Sequence, residues 1–374
     1  MAAAVVEGQA CAICFSGTVV TPGQKLDSAD QAVLAVASAD GSSFRVVAVV
    51  KGDVALDASI AQLDVSLGAA ELVMSMDGQT AVQKPSAANV DQPLLLLRSR
   101  TSEMWTSLGS IGEQYADWLR QLAATKHGSG DQPVRLWPSK VMAWSPLTDT
   151  EWQERLALVW PYADDGQTLA AEIAYRELLR APYKAMRTLK PRIEVEVLRS
   201  WIADPNLSPR RSVYTLLLGV AGDQDDATDL EKRIDQALLV RDATNLSAML
   251  AADLELRGPS RLDWLHTTFF VDRQRTLPEI DAALLALSVH GEADAAIPRE
   301  EVVEAYRAFI NERRPMAGFV ATELANWEAW EATRDYVDII RSKDVKDPAG
   351  QFAILSYLKS SPLTAAEAAL PAAQ

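Results

Sequence analysis

The chain predicts an α+β multidomain protein, a small antiparallel β-barrel domain followed by an all-α solenoid, and three observations carry that reading. The sequence grammar changes between residues 125 and 150. Before the change, short apolar runs are separated by Gly, Asp, Ser and Pro, as in strands and turns. After it, amphipathic helical segments follow one another in pairs almost to residue 360.

In the first part, strands are expected at 17–20, 31–39, 44–50, 59–65, 71–76 and 93–97. The punctuation between them is turn chemistry: Thr21-Pro22-Gly23, Asp40-Gly41-Ser42, Gly52-Asp53 and Asp77-Gly78 supply residues that enter tight turns without strain. A helix is expected at 111–124, where Ile111, Tyr115, Trp118, Leu119 and Leu122 fall on one stripe. Six short strands closed by a helix suit a small barrel that manages its own edges.

The Cys11-Ala12-Ile13-Cys14 start, the strands at 30–35 and 44–53, the 92–97 strand and the closing helix together resemble netrin-like OB barrels of the metalloproteinase-inhibitor type. The resemblance implies an OB-like β domain over 1–127. It does not imply inhibition, which in that family uses an N-terminal Cys whose free amine chelates zinc. Here ten residues precede Cys11.

Residues 128–149 read as a linker: Gly128-Ser129-Gly130 open it, and Pro133, Pro138 and Pro146 stiffen its remainder around Trp137 and Trp144. Helices are then expected at 151–161, 167–180, 192–203, 209–221, 226–239, 243–256, 260–271, 277–290, 299–312, 316–325, 329–341 and 348–359. Their stops are Asp204-Pro205, Gly222, Gly258-Pro259, Gly291, Arg314-Pro315 and Asp347-Pro348. Taken as pairs they start at 151, 192, 226, 260, 299 and 329, spacings of 41, 34, 34, 39 and 30 residues. That drifting period is the pattern of HEAT-like or armadillo-like repeats over 150–362, although no consensus residue recurs. An irregular helical bundle fits the same segments. Residues 363–374 read as a disordered tail. The stretches 211–219, 324–330 and 354–358 are similar to an uncharacterised family of bacterial exported HEAT-repeat proteins, which begin with a like C-x-x-C segment. That resemblance implies a periplasmic or secreted protein and brings no activity with it.

Charge excludes some partners. Lys and Arg number 36 against 51 Asp and Glu, a net charge of −15, which argues against nucleic acid or an anionic membrane surface. The acid is spread: residues 1–125 hold 7 basic and 13 acidic residues, leaving 29 and 38 for the rest. No apolar run is long enough to span a membrane.

Candidate chemistry centres on Cys11 and Cys14, the only two cysteines. A C-x-x-C pair serves as a structural disulfide, a redox dithiol or half of a metal site, and the residues alone leave all three readings open. The histidines His127, His266 and His290 are scattered, with His290 placed to cap a helix end. The run from Asp223 to Glu231 resembles a calcium loop but has Thr228 where that loop needs Gly and Ile234 where it needs Glu, so helix capping is the expected role. Trp327, Trp330 and Tyr336, with Tyr175 and Glu177, are binding-surface candidates that also suit packing between helices. No Walker, G-x-S-x-G, H-E-x-x-H or G-x-G-x-x-G pattern occurs. The expected function is non-catalytic binding of a protein or peptide on the helical face, without a cofactor. The alternative is thiol-redox or metal handling through Cys11 and Cys14.

Overall fold

A computed structural model describes residues 20–38, 43–61, 63–64, 92–100, 102, 104–125, 134–135, 142–143, 147–293 and 295–363. The expected strand at 71–76, all but Val20 of the one at 17–20, both cysteines, His127 and most of the linker and tail fall outside them. The described residues form two compact units that divide at Ala181 and Pro182.

The first unit opens with a short helix, α1 (Pro22–Ser28), capped by Thr21. Strands β1 (Gln31–Ala37), β2 (Phe44–Lys51), β3 (Ser59–Ile60), β4 (Leu63–Asp64), β5 (Leu94–Arg98) and β6 (Trp105–Ser110) come next. The sheet order is β3-β2-β1-β5-β6-β4. The first five are antiparallel, and the two residues of β4 join β6 in parallel. Register shifts within β1 and between Leu95 and Leu96 bend the strands, and the sheet curls into a half barrel. Among the described residues it curls without closing, so the α+β class stands and the barrel is half-formed.

Val33, Ala35, Val46, Ile60, Leu96 and Trp105 form the core of that curl. The alternate residues Ala32, Leu34 and Leu95 are equally buried, which is why β1 and β5 read as unbroken apolar runs. Helix α2 (Ala116–Ala124) packs along β2, and α3 (Asp149–Val159) and α4 (Thr168–Arg180) complete the unit. These last two helices read on sequence as the start of the helical half, yet they pack with α1 and α2. A two-residue ribbon, β7 (Val134–Arg135) with β8 (Met142–Ala143), lies in the stretch before them.

The second unit is helical throughout its described residues: α5 (Tyr183–Arg187), α6 (Val195–Ala203), α7 (Arg211–Ala221), α8 (Gln224–Val240), α9 (Leu246–Arg257), α10 (Leu262–Leu265) with a π turn to Val271, α11 (Leu277–Ala293), α12 (Arg299–Glu312), α13 (Ala321–Asn326), α14 (Thr333–Ser342) and α15 (Pro348–Ser360). Helices α7, α9 and α11 are the inner ones, each packed on the next. They are apolar nearly all round, as a helix covered on every side must be. Gly219 lets α7 touch α9 backbone to backbone: a Cβ there would stand 2.5 Å from the Ala252 Cα. The ends are capped locally. Asp347 accepts from the Ala349 and Gly350 N–H groups at 3.0 and 2.9 Å, and Arg241 and Lys343 close α8 and α14 in the left-handed region. No helix among the described residues is long and apolar enough to cross a membrane.

Candidate binding surface

Of the sequence candidates, Tyr175 and Glu177 lie on α4 of the first unit, and Trp327, Trp330 and Tyr336 in the second. Cys11 and Cys14 lie outside the described residues. Each placed residue has a packing role that comes from its neighbours.

Glu177 is wholly buried in a four-membered ion cluster. Its carboxylate accepts from Arg155 Nε and, at 2.7 Å, from Arg180 Nη2. Arg155 Nη1 donates to Asp27 Oδ1 at 3.0 Å and to Thr125 Oγ1 at 3.1 Å, and Arg180 lies over the Trp152 ring at 4.7 Å. Two cations and two anions thus cancel inside the joint of α1, α3 and α4. Burial works against the Glu177 charge, but the two guanidiniums outweigh it and hold its pKa below the usual carboxylate value. Asp27 is pushed up instead, because burial exceeds what the arginines return. Gly23 of α1 rests on the cluster: a Cβ there would lie 1.8 Å from Glu177 Oε1. Tyr175 is buried beside it on α4 with Arg176 over its ring.

Tyr336 is fully buried and donates its hydroxyl to the Ala317 carbonyl at 3.1 Å. Trp330 packs on the Tyr357 ring at 5.2 Å. Trp327 stacks on Tyr306 at 5.7 Å and presses on Gly291, where a Cβ would meet its ring at 2.5 Å. Close by, burial and the Glu323 charge raise the pKa of Glu292 to about 7 against the pull of Arg299.

His290 is buried, with Nε2 against the Ala251 carbonyl at 2.9 Å, so the hydrogen sits there. Its Nδ1 lies 3.7 Å from Glu255, which Arg187 engages at 2.8 Å. Burial depresses the His290 pKa and keeps the ring neutral. His266 sits beside Phe270. Asp223 caps α8, accepting from the N–H groups of Asp225 and Asp226 at 2.9 and 3.2 Å, and Asp226 returns a bond to the Asp223 N–H. Among the described residues no three His, Cys, Asp or Glu side chains are grouped to hold a metal.

Two concave features of the second unit were not among the sequence candidates. The first is a side-chain-sized cavity of about 150 Å³ between α6, α7, α8 and α9, floored by Ile202, Leu218, Leu230 and Met249. Arg199 and Asp226 stand at its rim, paired at 2.8 Å. Asn245 donates to Thr215 Oγ1 in its wall at 3.2 Å. The second is a groove of about 420 Å³ between the C-terminal end of α8 and the segment 272–279, lined by Leu238, Leu239, Arg275 and Glu279 among others. Arg275 is fixed there by the Thr268 carbonyl at 3.0 Å and Asp272 at 3.1 Å. Leu239, which lines this groove, is 78% exposed, and large apolar neighbours in sequence of its lining residues also face water: Val240 is 59% exposed, Leu277 55% and Val271 42%. In sequence, these four look like ordinary members of amphipathic stripes. Comparison of the chain with protein-family models, curated proteins and solved structures finds no match.

Proposed function

We propose that the protein is a non-catalytic docking scaffold whose helical unit binds a polypeptide partner in the groove at the end of α8. The observation that carries this reading is a preformed concavity lined by the exposed Leu239, with the exposed Val240, Val271 and Leu277 next in sequence to, or between, its lining residues. Folded chains rarely leave such a set in water without a use for it, and association removes that cost. Arg241 and Arg275 at the same groove supply the polar edge that orients a bound chain.

The proposal includes a HEAT-like arrangement of the helices. It is supported by Tyr306 and Tyr336, 30 residues apart, each donating its hydroxyl to a backbone carbonyl upstream, Leu284 at 3.1 Å and Ala317 at 3.1 Å. That separation is the spacing between the last two helix pairs read from the sequence.

The test is selection of a displayed peptide library on the full chain, followed by affinity measurement on Leu239→Asp/Leu277→Asp. Both side chains are exposed, so circular dichroism of the double variant should match the parent. Selected peptides should carry an apolar anchor and bind the variant about tenfold more weakly or worse. Unchanged binding would move the site elsewhere, and a selection without enrichment would end the reading.

A further inference from the structure

At the end of the β sheet in the first unit, the start of β1, the turn after β2 and the end of β5 enclose an open pocket of about 430 Å³. Gly52 makes the turn possible: its φ is +79°, and a Cβ would strike the Asp30 carbonyl at 2.5 Å. Arg98 reaches into this pocket from β5. Its Nε donates to Gln31 Oε1 at 2.8 Å and its Nη2 donates to the same oxygen. Gln31 is itself held, because its Nε2 donates to the Asp53 carbonyl at 2.9 Å, which also fixes which end of the amide faces the arginine. The other side of the guanidinium lies over the Trp105 ring at 4.8 Å.

Arg98 is therefore an oriented cation with a neutral partner. Among the described residues no carboxylate pairs with it. Asp30 is taken by Arg100, whose backbone N–H donates to it at 2.7 Å and whose Nε lies 3.3 Å away. A guanidinium has five N–H donors, and Gln31 engages one edge of the fork. The Nη1–Nη2 edge remains, with the spacing that matches the two oxygens of a carboxylate. Ser99, Arg100 and Ser102 line the same opening.

We propose that this pocket is a binding site for a carboxylate, held end-on by Arg98. Asp53 on the pocket wall favours a single negative charge over a doubly charged phosphate, since each added charge meets its repulsion. The protein's net charge of −15 acts only weakly here, because charges beyond about 8 Å are screened at physiological salt. The site is independent of the groove at α8.

The experiment is ligand-observed NMR and calorimetry on the full chain with four probes: acetate, N-acetyl-Ala-Ala-Ser with a free C-terminus, the same peptide as its C-terminal amide, and inorganic phosphate. The free-acid peptide should bind, and its amide about tenfold more weakly or worse. Acetate binding as well as the acid peptide assigns the site to small carboxylates; a clear preference for the peptide assigns it to a chain terminus. Arg98→Met should abolish binding and Arg98→Lys should weaken it by losing the fork. Arg100→Glu changes an exposed residue, removes a lining cation and releases Asp30 from its pair, and should weaken the acid peptide about tenfold or more. Equal binding of acid and amide, tighter binding of phosphate, indifference to Arg98→Met in a folded variant, or no binding of any probe at about 10 mM would each overturn the proposal.

Discussion

The two units use arginine–carboxylate pairs for different ends. In the first, Arg155, Arg180, Asp27 and Glu177 lie inside the joint of α1, α3 and α4, with Arg155 and Glu177 wholly excluded from water. In the second, Asp253 is buried between Arg257 and Arg261, but three other pairs link neighbouring helices through arginines that reach water: Arg199 with Asp226 at 2.8 Å, Arg307 with Asp335 at 3.2 Å, Arg314 with Asp344 at 2.5 Å. These span 27, 28 and 30 residues, about one helical pair each. Buried charges have surrendered their hydration and depend on one another; rim charges keep water as a substitute partner. The first arrangement fixes one geometry at high cost of error, and the second trims contacts that burial has already set.

Breaking the buried joint should have the largest effect. Glu177→Ala leaves two buried arginines, Arg155 and Arg180, to share the single carboxylate of Asp27 and should cost about 3–5 kcal/mol in urea denaturation. Arg155→Met/Glu177→Leu, which removes both charges, should cost less than that single change. A loss below about 1 kcal/mol for Glu177→Ala would erase the contrast between the units.

Glu292 gives an intermediate effect with a defined sign. Its folded pKa of about 7 stands above the ordinary 4.5, so its contribution is full below 4.5 and is lost as pH rises through 7. Glu292→Gln should therefore stabilise the protein at pH 8 by about 1–2 kcal/mol, allowing for partial exposure, and the gain should shrink toward pH 5. A gain that does not vary between those two pH values would contradict the assignment. The smallest change is expected at a rim pair. Arg307→Ala should cost about 0.5 kcal/mol, less in high salt, by the same denaturation measurement.

Much of the fold is legible because its signals are local. The helix ends at Ala203, Ala221, Arg257 and Glu312 come from residues within a turn of each: Asp204-Pro205, Gly222, Gly258-Pro259 and Arg314-Pro315. β1, β2 and β5 arise from apolar runs between turn residues. Helix α1 is the instructive difference. Thr21-Pro22-Gly23 reads as a turn, yet Thr21 caps a helix with Pro22 in its first turn and Gln24 returning a bond to the Thr21 N–H. The Thr-x-x-Gln signal is present and is outweighed by the Pro-Gly pair. β6 is hidden for another reason: Thr106, Ser107, Gly109 and Ser110 offer no apolar alternation, and only the pairing with β5 makes them a strand.

The candidate sites are less legible because they depend on distant residues. Arg155 meets Asp27 across 128 positions, and nothing near either predicts it. Arg98 and Gln31 are 67 apart and come together through the register of β1 and β5. The aromatic candidates Trp327, Trp330 and Tyr336 have a helical spacing that serves packing and recognition alike, and in the structure each contacts a neighbouring ring or backbone.

The tyrosines on α12, α14 and α15 show a kind of contact that leaves little trace in sequence. Tyr306, Tyr336 and Tyr357 all donate to main-chain carbonyls, those of Leu284, Ala317 and Ala329. Every amino acid carries that acceptor, so the receiving position can change identity while the bond survives. Such a contact therefore places a demand on the residue type of only one of its two partners, the tyrosine, and leaves the side chain at the accepting position to be set by its own packing.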